Sequence, residues 1–224
     1  MIKEIDSDFS KNEYKMYKIL SILRNVFFML VVVVFVASCT QMAKNNSNKT
    51  GINTEVDSGQ TEMNHFDKTM IFQASLEGNL QIVLSALNDG FNPNTVDENK
   101  RTALMLAAYN GNTEIVKLLI DKGADVNYTD EIQRTALMYA SSGPFVNTVL
   151  ILLQAGAKPN SIEKEENWTA AMMAAAEGQL EVLKELVAFG ADLSMVDVDG
   201  ESALDFAYSK GYSAVAEYIR SQQK

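Results

Sequence analysis

The 224-residue chain has one cysteine and one histidine. A single thiol cannot close an intramolecular disulfide or supply a multi-thiolate metal site. One imidazole, His65, falls short of the usual zinc-ligand sets. Basic residues are also scarce: 19 Lys and Arg against 29 Asp and Glu leave a formal charge of −10. Phosphate binding needs a concentrated basic face, so nucleic acid is not expected as a partner. No glycine-rich phosphate loop follows a strand pattern, and a Ser-His-Asp arrangement would have to form around His65 in chain without apolar periodicity. The expectation is a protein that is not an enzyme, with no cofactor, no metal and no catalytic residue.

Apolar residues, in contrast, make up 47% of the chain, enough for a sizeable core. Their longest uninterrupted run, Val26 to Ala37, spans 12 residues and leads into the only cysteine, Cys39. A membrane-spanning helix needs about 20 residues, and extending the run backwards brings in Ser21, Arg24 and Asn25. Lys15, Lys18 and Arg24 precede the run and Ala37 and Ser38 close it, the layout of a secretory signal over residues 1–38. Val36-Ala37-Ser38-Cys39 resembles a bacterial lipobox. The resemblance implies a diacylglycerol thioether on Cys39, with cleavage leaving that residue as the mature N-terminus. An uncleaved anchor and a buried apolar cysteine are the alternatives. Met16 opens a more typical signal than Met1 and is read as the true start. Thr40 is not aspartate, which by family precedent favours the outer membrane in a cell with two. The expected location is the bacterial cell envelope. Residues 40–64, rich in Asn, Thr, Ser and Gly, cannot bury enough surface to offset their ordering entropy. With Cys39 they read as a disordered tether over 39–65, reaching roughly 25–30 Å.

Beyond the tether the chain repeats itself. Thr69, Thr102, Thr135, Thr169 and Ser202 recur at spacings of 33, 33, 34 and 33. Each hydroxyl caps a short Ala-, Leu- and Met-rich helix. Gly78, Gly111, Gly178 and Gly211 break that helix, while the third unit has Gly143-Pro144, with Pro144 suited to the first turn of the next helix. A second amphipathic helix ends at Gly90, Gly123, Gly156 or Gly190, and a polar finger leads onward.

This pattern resembles the ankyrin repeat, and Gly123-Ala124-Asp125-Val126-Asn127 reproduces the finger entry of that family in full. The resemblance implies an all-α solenoid of about five helix-turn-helix units with β-turn fingers. Their bounds are 66–98, 99–131, 132–165, 166–198 and 199–224, with the first and last as caps. The family's Thr-Pro-Leu-His becomes Thr-Ala-Leu-Met at 102–105 and 135–138, and Thr-Ala-Ala-Met at 169–172. Losing histidine removes a threonine–histidine hydrogen bond typical of the family. The finger before Trp168 carries one extra residue.

Ankyrin proteins bind other proteins on a concave face of fingers and first helices. Here the outward positions carry Arg101 and Tyr109, then Ile132 and Arg134, then Glu165, Glu166, Trp168 and Glu177. Trp, Tyr and Arg dominate interface hot spots. Trp168 is therefore expected as an exposed anchor, whose loss would leave the helices intact; packing against its neighbouring finger is the alternative. The three glutamates are expected as a charged rim. Glu163, Glu165 and Glu166 read as a solvated acidic loop, and Met105, Met138, Met172 and Met173 as core filler. The functional expectation is a lipid-anchored protein that binds another protein. An inhibitor or immunity-type protein against an envelope toxin or hydrolase is the alternative.

Overall fold

The computed structural model describes residues 67–223. The export signal, Cys39 and the tether lie outside the described residues. Ten helices follow in pairs: α1 (Lys68–Glu77) and α2 (Leu80–Asn88), α3 (Ala103–Tyr109) and α4 (Thr113–Asp121), α5 (Ala136–Ser141) and α6 (Val146–Gln154), α7 (Ala170–Ala176) and α8 (Leu180–Ala188), α9 (Ala203–Lys210) and α10 (Ser213–Gln222). None of these helices is long and apolar enough to cross a membrane.

Each first helix packs on the first helix of the next unit, and each second helix on the next second helix, giving two layers. Helices this short are marginal alone, so the stacking holds them. Ala103 to Ala108 are buried throughout, because α3 touches α1, α5 and its own partner α4. Small side chains let these backbones approach. The second helices contribute the larger residues, in rows that recur with the repeat. Ala86, Leu119, Leu152, Leu186 and Ile219 form one row, all 1% exposed or less. Met105, Met138 and Met172 are equally buried, whereas Met173 is half-buried.

Thr102, Thr135, Thr169 and Ser202 cap α3, α5, α7 and α9 as the pattern requires. The first unit departs: Asp67 caps α1 and Thr69 sits inside the helix. Pro144 also differs from expectation, lying before the N-cap of α6, Phe145, rather than in its first turn. Phe145 has a role of its own. Its ring lies over Gly111 and Gly143, where a Cβ would collide with it. Gly111 therefore combines φ +66° with a close approach, whereas Gly123, at φ +89°, has nothing near its missing Cβ.

Asparagine clamps join successive units. The amide of Asn94 donates to the Gly123 carbonyl at 3.1 Å and its oxygen accepts from the Asp125 N–H at 2.8 Å. Asn127 repeats this with Gly156 and Lys158, and Asn160 with Gly190 and Asp192. The fingers are turns; among the described residues no strand forms, only isolated bridges Val96–Thr102 and Val196–Ser202. One backbone hydrogen bond links each neighbouring pair of tips: Glu131 N–H to Asn99, Lys164 N–H to Ile132 and Val198 N–H to Glu166.

Candidate protein-binding face

A carboxylate organises each of four fingers from below. Asp97 Oδ1 accepts the N–H groups of Asn99 and Arg101 at 2.9 and 2.8 Å. Asp130 does the same for Ile132 and Arg134, and Asp197 for Asp199 and Glu201. The residue just before each Arg, Trp or Glu is left-handed: Lys100, Gln133, Asn167 and Gly200. In the longer finger the organiser is Glu163. It is 1% exposed, and its carboxylate accepts from Glu165, Glu166 and Trp168 at 2.8, 2.6 and 3.2 Å. The expected solvated acidic run is thus corrected at Glu163: the extra methylene of glutamate spans the extra finger residue.

The fingers leading into the second and third units share an aspartate and an arginine four residues on, yet differ in what the arginine does. Arg101 closes on Asp97, with Nε at 2.8 Å and Nη2 at 2.7 Å from Oδ2. In the third unit that acceptor is taken by a tyrosine: the Tyr139 hydroxyl donates to Asp130 Oδ2 at 2.7 Å. Among the described residues the Arg134 guanidinium makes no hydrogen bond or ion pair, and its Nε is buried and unbonded. A buried donor without an acceptor costs about 1–3 kcal/mol. Burial first, then the hydrogen bond to Asp130 and the charge of that carboxylate, hold the Tyr139 hydroxyl well above the ordinary tyrosine range. The positive charges of Arg134 and Arg101 act on it in the opposite direction. Tyr109 leans on the same ring edge-on, with centroids 6.1 Å apart, and is itself 52% exposed.

The structure therefore gathers Arg101, Tyr109 and Arg134 around Tyr139 and Asp130. Ile132 is half-buried, its carbonyl engaged by the next finger. Glu165 and Glu177 are exposed and Glu166 is half-buried. Trp168 is a correction. Rather than standing out as an anchor, it is half-buried against the core, its ring centroid 4.5 Å from that of Phe206 in the next unit. Its truncation would remove packing between units. No hydrogen bond, ion pair or ring contact joins Trp168, Glu165 or Glu177 to the Tyr139 cluster among the described residues. Tyr139, Asp130 and Phe206 were not legible as site residues. The position four after the capping hydroxyl holds Leu106, Tyr139, Met173 and Phe206, and only the tyrosine carries a polar tip. That departure was the available signal.

A family model described as ankyrin repeats (3 copies) matches residues 71–163 and 146–224. The chain belongs to the ankyrin-repeat family. A curated relative, glycerophosphocholine phosphodiesterase gde1 of Schizosaccharomyces pombe (strain 972 / ATCC 24843), is 39% identical over 56 residues. The match covers 25% of this chain and 5% of that protein. Ankyrin repeats form protein-interaction modules and are generally non-catalytic, so this ankyrin array is a binding scaffold.

Proposed function

We propose that this ankyrin-repeat protein is exported, anchored in the bacterial cell envelope by lipid on Cys39, and captures another protein on the face made by its fingers and first helices. The observation that carries the binding reading is the exposed ring of Tyr109, braced on Tyr139 near an arginine whose guanidinium makes no hydrogen bond or ion pair among the described residues. Tyrosine and arginine are among the residue types that dominate interface hot spots, and a ring braced by its neighbour loses less freedom on binding. The anchoring reading is supported by the sequence of residues 26–39 alone. Two acyl chains on one cysteine anchor stably, whereas one chain binds only marginally.

Crosslinking pull-downs from native membranes test both parts. Tyr109→Ala should lose most of the captured partner while keeping its helical circular dichroism. Full recovery by the folded variant would move binding off this face. Cys39→Ala should lose incorporation of labelled palmitate; undiminished labelling would reject the anchor.

A further inference from the structure

We infer that Arg134 receives a single carboxylate of the partner protein, an aspartate or glutamate side chain or a chain terminus, beside the ring of Tyr109. The inference rests on the reading that the finger face binds protein. Its evidence is a comparison internal to the molecule. Asp97 and Arg101 form an ion pair at 2.7 Å. Asp130 and Arg134 stand at the equivalent positions, with the same backbone bonds, and do not pair. What differs is the first helix above them, where Leu106 gives way to Tyr139. The tyrosine hydroxyl occupies Asp130 Oδ2 and releases the guanidinium. A guanidinium is a planar fork matched to carboxylate geometry, and with Nε buried the two terminal nitrogens are the donors left to a ligand. The residue is half-buried and close enough to Tyr139 for its charge to act on that hydroxyl.

The surroundings select among anions. Asp130 lies beneath the site, and the exposed tip residue Glu131 is three positions from Arg134 in sequence. The chain carries −10 overall. A dianionic phosphate is repelled more by this field than one carboxylate.

The probe is a displayed library of random dodecapeptides, selected on the full chain. The enriched pool should be rich in Asp or Glu. A synthetic peptide from that pool and its acid-to-amide twin are then compared by fluorescence anisotropy. Arg134→Gln should weaken the acidic peptide at least 10-fold and leave the twin unchanged. Arg134→Lys, which keeps the charge and loses the fork, should fall between. Tyr139→Phe is the decisive second variant. It frees Asp130 Oδ2, so Arg134 should close on it as Arg101 closes on Asp97. Peptide affinity should fall although the arginine remains and the protein melts no lower than wild type. A pool that fails to enrich acidic residues, or an acid preference undiminished in Arg134→Gln, overturns the inference. Tighter, Arg134-dependent binding of a phosphoserine twin would also overturn it, in favour of phosphate. Loss of peptide binding in Tyr109→Ala with none in Arg134→Gln would leave the finger face standing and remove only the carboxylate site. Insensitivity to both would remove both.

Discussion

At Met105 and Met172 a thioether sulfur stands where the family's histidine would be. The backbone N–H of Thr102 points at Met105 Sδ at 3.5 Å, and that of Thr169 at Met172 Sδ at 3.4 Å. Sulfur is a weak acceptor, but it occupies the place of the lost imidazole while its chain fills the core. In the last unit a carboxylate does this better. Asp205 accepts the Ser202 hydroxyl and N–H at 2.6 and 2.8 Å, which holds its carboxyl below the usual range. Tyr139 is the residue whose chemistry reaches furthest. Its hydroxyl is raised in the folded state, chiefly by burial, so the folded chain keeps the proton after the unfolded chain has released it. Stability is then fully present below the unfolded value, about pH 10. It falls as pH rises above that, toward the raised folded value. Urea midpoints of wild type should drop with a steeper slope above about pH 10 than those of Tyr139→Phe. Parallel slopes would show that folding does not raise the Tyr139 hydroxyl.

At the scale of the element, the finger of 163–168 shows how one insertion is absorbed. Asp130 serves a finger that reaches Thr135 in five steps; Glu163 serves one that reaches Thr169 in six. Glu163→Asp should leave backbone N–H groups of Glu165, Glu166 and Trp168 without their acceptor, at a cost of about 2 kcal/mol. Deleting Glu165 in the same chain should recover most of that loss, because it restores the length of the other fingers. Urea denaturation of the single and double variants checks this; equal instability of both would mean that carboxylate reach is not what fits the longer finger. Part of what repeats with the 33-residue period was readable from sequence: the hydroxyl caps of the last four units, the glycines and the helix pairs, but not the cap Asp67, the asparagine clamps or the finger aspartates. The left-handed Lys100, Gln133 and Asn167 were hidden, since glycine marks that position only at Gly200. So was the fate of Trp168, because an outward register does not reveal that Phe206 stands beside it. Arg134 was found as a candidate, but for a weaker reason than the one the structure supplies. Its release depends on a hydroxyl from another element, and a residue-type argument treats Arg101 and Arg134 alike.

Across the described array the units pack on their neighbours, through helix rows, asparagine clamps and one backbone bond per pair of tips. Stability in such a stack is a sum of unit terms and interface terms, and end units have one interface each. The last unit covers α8 with α10 and packs Phe206 on Trp168. Removing 199–224 should therefore uncover apolar surface beside Leu183 and Leu186, which are buried in the intact protein. It should also strip Trp168 of its ring partner. The truncated chain is expected to self-associate, to shift tryptophan emission to longer wavelength, and to unfold at lower urea. Hydrogen exchange on the intact protein tests the same account without truncation. Amides of α3 to α6 have neighbours on both sides and should exchange slowest, while α1, α2, α9 and α10 open first. Uniform protection from α1 to α10 would mean that the array opens only as a whole. In that case the clamps and tip bonds couple the units more strongly than nearest-neighbour stacking requires.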